Sequence, residues 1–102
     1  MKPSVKLAYI QRKLKLDDNK FSKKFLISVE ELQRAQEKEE VNKDSLIHLC
    51  EKLNLDINVF MNEDSIIYCK KSLFSTHFFL NKQELINEDF PIEDNPRYTE
   101  KD

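Results

Sequence analysis

Residues 21–28 read FSKKFLIS and residues 46–53 read LIHLCEKL. The first stretch places Phe21 and Phe25 four residues apart, which is the spacing of neighbours on one helix face. In the second stretch apolar residues recur at i, i+3, i+4 and i+7, the pattern of a helix with one buried stripe. The two stretches therefore predict two helices of a small α-helical bundle.

A further helix is predicted on the amino-terminal side of this pair, over residues 5–16. There Leu7, Ile10 and Leu14 lie on one side and mostly charged residues lie opposite. Asp17 or Asp18 then suits the N-cap of the second helix, residues 19–25, because a carboxylate accepts from free backbone N–H groups.

The third helix has the clearest start signal. Residues 28–31 read SVEE, which is the form of a capping box, in which Ser28 and Glu31 satisfy each other's backbone N–H groups. We expect this helix to run from Ser28 to about Lys38, with Leu32 and Ala35 facing inward.

Two more helices close the predicted bundle. The fourth begins at Asp44 or Ser45 and ends at Asn54, a residue that tolerates the left-handed conformation. The fifth spans residues 57–61 after an Asp56 cap. The chain has no glycine, so every turn that needs a positive φ must use another residue.

The composition changes after Asp64. Residues 66–68 and 73–80 are rich in β-branched and aromatic side chains and are separated by KKS at 70–72, which suits two strands joined by a turn. An isolated hairpin is marginal in water, so this segment packs on the helices or pairs with a second copy. Phe74, Phe78 and Phe79 are accordingly assigned to a core or dimer contact, with stacking on nucleic-acid bases as the alternative.

Charge is distributed unevenly along the chain. Residues 1–40 contain ten Lys/Arg and seven Asp/Glu, net +3, whereas residues 41–102 contain seven and twelve, net −5. The front half is therefore the part suited to approach phosphate. Residues 91–102 are charged and poor in apolar side chains, which predicts an acidic, disordered tail.

The quoted stretches resemble the DNA-binding domain of Cro/C1-type (XRE-like) helix-turn-helix repressors. In that family the second helix and turn commonly read apolar-Ala-Lys-Lys-apolar-Gly-apolar-Ser, which residues 21–28 match except at Ser22 and Leu26. Residues 46–61 are similar to the family's last two helices. The resemblance covers residues 1 to about 62 and implies a five-helix helix-turn-helix bundle. The residue pattern then divides the rest of the chain into an extension, residues 63–90, which we expect to be the dimerisation element, and the tail, residues 91–102.

The resemblance also implies a function. It implies a transcription regulator, from a phage or other mobile element, that binds double-stranded operator DNA as a homodimer with helix three in the major groove. Carried over position by position, Gln33 pairs with adenine and Arg34 with guanine or phosphate. The full set of DNA-facing positions is Lys20, Lys23, Ser28, Glu30, Glu31, Gln33, Arg34 and Lys38.

The chain departs from the family pattern at three places. Asp18 replaces the usual Gln, Glu30 and Glu31 stand where Ser, Thr, Arg or Gln are favoured, and Leu26 replaces the turn glycine. The carboxylates Asp18, Glu30 and Glu31 support a second hypothesis. Carboxylates on the recognition helix suit a basic protein surface better than phosphate. The alternative is thus a protein-interaction module that inhibits a host nucleic-acid-binding protein, of the anti-CRISPR or antirepressor type.

Other classes of function have no support in the residue pattern. There is no glycine-rich phosphate loop and no nucleophile beside a base, so we expect no enzyme and no cofactor. His48 and His77 lack partners at metal-ligand spacing, and two distant cysteines predict reduced thiols. The first apolar patch, residues 7–10, is too short for a membrane span, so we expect a cytoplasmic protein without membrane contact.

Overall fold

The computed structural model of the chain describes residues 1–82. Within them the elements follow the order α1 (Pro3–Leu14), α2 (Asp18–Phe25), α3 (Val29–Lys38), a 3-10 turn (Lys43–Leu46), α4 (Ile47–Leu53), α5 (Ile57–Met61), β1 (Ser65–Lys71) and β2 (Thr76–Lys82). The described part is mainly helical and ends in an antiparallel hairpin, as predicted. The predicted acidic tail and residues 83–90 of the extension lie outside the described residues.

The helix boundaries follow local capping chemistry. α1 begins two residues earlier than predicted, because Pro3 suits the first helical turn, where its missing N–H is not needed. Asp17 caps α2 by accepting from the Lys20 N–H at 2.8 Å, and Asp56 caps α5 as predicted. The predicted start of α4 is wrong: Asp44 and Ser45 lie in a 3-10 turn that Asn42 caps, and α4 itself begins at Ile47.

Four residues take the left-handed conformation that glycine would favour. Lys15, Leu26, Glu39 and Asn54 each have φ of 58° and follow the last residues of α1, α2, α3 and α4 respectively. Their backbone N–H groups bond the last carbonyls of each helix. A left-handed non-glycine residue costs roughly 1–2 kcal/mol, least for Asn, so the termination of α2 at Leu26 is a strained one.

The core forms where the predicted apolar faces meet. Phe21 and Phe25 of α2 are fully buried, with ring centroids 4.7 Å apart. Fully burying such a side chain stabilises the fold by roughly 1.5–3 kcal/mol. The other main members of this core are Leu7, Ile10, Leu32, Leu46, Leu49 and Phe60, while Leu14 and Leu53 are half-buried at its edge.

The hairpin packs on this core. Ile67, Cys69 and Phe78 belong to the same buried cluster as the helices. A two-stranded sheet leaves unpaired N–H groups along its edges, and the Tyr9 hydroxyl accepts one of them, from Cys69, at 3.0 Å. Tyr9 also contacts the Phe78 ring edge-to-face at 6.3 Å. α1 therefore covers one edge of β1.

The predicted turn of the hairpin is placed wrongly. Lys70 and Lys71 belong to β1 and pair with His77 and Thr76, so the turn is residues 72–75. Leu73 and Phe74 consequently lie in the turn, 87% and 92% exposed, rather than in a strand. The residues of the turn depend on which residues of the two strands pair. That register is set by how the hairpin packs on the helices, so the sequence pattern alone could not place the turn.

Phe78 and Phe79 were assigned, with Phe74, to the core or a dimer contact. Phe78 is buried in the core. Phe79 is 40% exposed and stacks on Tyr68, with ring centroids 5.4 Å apart. Burial raises the pKa of the Tyr68 hydroxyl.

Lys6 is the main surprise of the fold. Its side chain is fully buried, and its ammonium donates to the carbonyls of Phe60 and Asn62 at 2.6 and 2.8 Å and to Ser65 Oγ at 2.6 Å. Burial lowers its pKa to about 8. Lys6 joins α1 to the end of α5 and the start of β1, so it is not one of the front-half cations that can approach phosphate.

Candidate functional site

The sequence-predicted site residues lie on α2 and α3, which are joined by three residues. Leu26, 66% exposed, takes the left-handed conformation at the position where the family has glycine, and Ile27 is buried in the core. The backbone N–H of Ile27 donates to the carbonyl of Ser22 at 3.3 Å. One strained residue and one buried residue therefore set the angle between the two helices.

The capping box at the start of α3 is confirmed. The Glu31 N–H donates to Ser28 Oγ at 3.1 Å, and the Ser28 N–H donates to Glu31 Oε1 at 3.3 Å. The second carboxylate oxygen of Glu31 accepts from the Ser45 hydroxyl. This bond from Ser45, and then those from Ser28, lower the pKa of Glu31.

Glu31 is therefore held by the fold rather than displayed. It ties the first turn of α3 to the 3-10 turn, and it is half-buried, whereas Glu30 is exposed. The sequence identified the Ser28 contact through the capping-box spacing. It could not identify Ser45, because that contact joins residues from two separate elements.

The outward face of α3, which we define as Glu30, Gln33, Arg34 and Glu37, is exposed. Leu32 and Ala35 are buried, and at roughly 100° per residue Glu30 and Glu37 point almost directly away from them. Gln33 and Arg34 flank this acidic pair on either side. The outward face thus carries one cation and two carboxylates.

The amino end of α2 is held by a polar contact between helices. The half-buried Asp18 carboxylate accepts from the Gln11 amide at 2.8 Å and from the Gln36 amide at 3.4 Å. Asp18 therefore joins α1, α2 and α3. Lys20 and Lys23, the predicted DNA-facing residues of α2, are both exposed.

The carboxyl end of α3 carries both positive and negative side chains. Lys38, in the last turn, is exposed, and Glu39 accepts from the Lys2 ammonium at 2.6 Å. Glu40 follows and is also exposed. Of the eight predicted site residues, only Glu31 is not fully exposed, so the structure places the others on the surface of the α2–α3 unit.

A small cavity of about 150 Å³ lies beside the amino end of α3. Leu7, Ile27 and Leu46 contribute apolar walls, and Glu31 and Arg34 contribute polar ones. Arg34 thereby borders both the outward face of α3 and this cavity. Its position next to residues 40–46 was not foreseeable from helix spacing alone.

Residues 1–82 were also searched for membrane-spanning helices, metal sites and reactive cysteines. No helix there is long and apolar enough to cross a membrane, and no group of three or more His, Cys, Asp or Glu in that range is arranged to hold a metal ion. Cys50 and Cys69 are free and buried, and burial raises the pKa of the Cys50 thiol to about 11. Neither thiol is presented as a nucleophile.

Comparison with known proteins adds no assignment. A scan against protein-family models matched none, and searches of curated proteins and of solved structures found no match.

Proposed function

We propose that the chain is a sequence-specific, DNA-binding transcription regulator of the Cro/C1 helix-turn-helix type, acting as a dimer on the operator of a phage or other mobile element. The observation that carries the proposal is the α2–α3 unit. Its three-residue turn joins a packed helix to a capped one whose outward face is exposed. A helix presented in this way is what major-groove recognition needs.

Each of the eight predicted site residues has a role in this proposal. Gln33 and Arg34 have the side chains that pair with adenine and with guanine or phosphate. Glu30 suits cytosine, whose amino group donates in the major groove. Lys20, Lys23 and Lys38 contact phosphates and set the orientation of the helix, while Ser28 and Glu31 hold its first turn.

Fluorescence anisotropy with the DNA upstream of the protein's own coding region tests the proposal. Arg34→Ala is expected to weaken specific binding by about 1–3 kcal/mol and to relax the preference at one base pair. Lys23→Ala is expected to weaken binding to all sequences and to lower the salt slope by about 0.9. Lys70→Ala, an exposed lysine of β1, serves as the matched control.

The proposal fails if the unmodified chain binds this DNA no more tightly than random DNA and Arg34→Ala changes nothing. Its dimeric part fails separately, if sedimentation shows a monomer both alone and on DNA that carries two half-sites. About 34 Å between half-site centres is the spacing expected for successive major grooves.

A second candidate function has one specific observation in its favour. Glu30 and Glu37, the outermost side chains of α3, are carboxylates, which phosphates repel and basic protein surfaces attract. We therefore keep the inhibitor of a host nucleic-acid-binding protein as the alternative. Capture of such a protein from host lysate, lost in Glu30→Lys but kept in Arg34→Ala, would support it, and recovery of nucleic acid alone would contradict it.

A further inference from the structure

A groove of about 600 Å³ lies where the carboxyl ends of α1, α2 and α4 meet the turn of the hairpin. Its floor is apolar and includes Leu14, Phe25 and Leu53, and residues 71–76 form one wall. We call it the hairpin-tip groove. None of the predicted site residues lines it.

The charge of this groove is of one sign. Lys24, Lys52 and Lys71 line it, and no Asp or Glu is among its lining residues. Lys24 and Lys52 lie in the last turns of α2 and α4, where a cation offsets the helix dipole. Lys71 is on β1 and has no such role, so the groove has positive charge beyond what the helix ends require.

The apolar residues at the rim have no role in the fold. Leu73 and Phe74 lie in a tight turn closed by the Ser72 N–H, which donates to the Ser75 carbonyl at 2.8 Å. Small and polar residues usually fill such turns, and the exposure of these two side chains shows that they add nothing to the core. Exposed apolar surface next to a groove is typical of a binding site.

The chain itself contains a segment of complementary chemistry. Residues 83–94 read QELINEDFPIED, with five acidic residues and no Lys or Arg. Between the acids stand Leu85, Ile86, Phe90 and Ile92. An acidic segment with interspersed apolar side chains matches a groove that offers lysines and an apolar rim.

The segment is also long enough to reach the groove. It follows Lys82, which pairs with Ser65 at the opposite end of the hairpin from the turn. A strand of seven residues spans about 23 Å, whereas twelve extended residues span up to about 40 Å. A return along the hairpin is therefore within reach of the same chain.

We propose that residues 83–94 dock in the hairpin-tip groove of their own chain, with carboxylates on Lys24, Lys52 and Lys71 and apolar side chains on Leu73 and Phe74. The contact covers the apolar turn and offsets the lysines at the helix ends. It does not depend on the function proposed for α3.

The test places a nitroxide label on the segment in the full-length chain. Asn87→Cys provides an uncharged attachment position, and the buried Cys50 and Cys69 should remain unlabelled, which the unmodified chain checks. In ¹⁵N NMR spectra, the amide signals of Lys52 and of residues 72–76 should lose most of their intensity, and reduction of the nitroxide should restore it. Lys52→Glu should prevent the loss, whereas Lys38→Glu, also in the last turn of a helix, should leave it unchanged.

Three results would overturn the proposal. Unchanged intensities at residues 72–76 would show that the segment does not enter the groove. Broadening that appears only when a labelled chain is mixed with an unlabelled ¹⁵N chain would make a second copy the occupant. If the amide signals of residues 72–76 keep their intensity in the labelled chain but shift on addition of duplex DNA, nucleic acid would be the occupant.

Discussion

The outward face of α3 and the hairpin-tip groove carry opposite charge on one small chain. The α3 face presents Glu30 and Glu37 beside a single arginine, and the groove presents three lysines and no acid. From the net charge of +3 in residues 1–40, we expected the lysine and arginine side chains of this part of the chain to approach phosphate. Two of the groove's three lysines, Lys24 and Lys52, instead lie where helices end, since helix dipoles favour cations there. The net charge of a segment therefore does not show where its charges lie in space.

The two regions are also held by different interactions. The α3 face depends on polar contacts at the surface, from Ser28 and Ser45 to Glu31. The hairpin that forms the groove depends on buried polar contacts, from Lys6 and Tyr9 to β1 and its flanks. Buried contacts have the larger effect when broken, because the groups left behind lose water as well as their partner.

Lys6→Met is expected to have the largest effect on stability, because it removes buried hydrogen bonds. Two carbonyls and the Ser65 hydroxyl lose their donor, which should lower the free energy of unfolding by about 1–3 kcal/mol in urea titrations. Lys2→Met, which breaks an exposed ion pair with Glu39, should have a much smaller effect, because water screens a surface pair. Equal effects would show that the Lys6 contacts contribute no more than a surface pair.

The pH dependence sharpens the same test. Burial lowers the pKa of Lys6 to about 8 from 10.5, so between these values the unfolded chain binds more protons than the native one. Stability contributed by this group therefore rises with pH across that range. The unmodified chain should gain stability relative to Lys6→Met from pH 8 to 10.5, and a loss would contradict the assigned direction.

Glu31→Gln tests the surface side. Loss of the charged cap should lower the free energy of unfolding by about 1 kcal/mol at pH 7, with Glu37→Gln as control. Because the native pKa of Glu31 is lowered, its stabilisation is complete above the unfolded value of 4.5 and is lost as pH falls through the native value. The difference between the two chains should therefore shrink in acid, and a constant difference would contradict this cause.

Leu26→Gly should raise stability, because it relieves the strained residue on which the angle of α3 depends. Glycine has no Cβ to oppose φ of 58°, so a gain of about 1 kcal/mol in thermal or urea unfolding is expected. Leu73→Gly removes another exposed leucine, which has no positive φ. A similar gain in both chains would show that the effect is unrelated to backbone strain.

Glu37→Lys has the smallest expected effect on stability, within about 0.5 kcal/mol, because the position is exposed. It makes the α3 face resemble the groove in charge. If α3 binds DNA, anisotropy at several salt concentrations should show tighter binding and a salt slope steeper by about 0.9. Glu51→Lys, on the exposed side of α4, is the control, and weaker DNA binding by Glu37→Lys would contradict the proposed orientation.

Local features were predictable where neighbours in sequence make the contact. The Ser28–Glu31 box, the Asp56 cap and the buried faces of α2 to α4 follow from spacing within a few residues. The start of α4 was predicted wrongly because several polar residues that can cap a helix lie close together at residues 42–45. Only the packed structure shows that Asn42 caps and that Ser45 reaches Glu31.

Taken by itself, the sequence determined the helices, the Ser28 and Asp56 caps and the presence of a hairpin, since these depend on periodicity and on side chains a turn apart. Only the tertiary structure decided which charges are displayed. It buried Lys6 against residues more than 50 positions away, brought Lys24, Lys52 and Lys71 to one groove, and left Leu73 and Phe74 exposed. Such outcomes depend on contacts between distant segments, and the burial of a charge is decided by the acceptors that those segments supply.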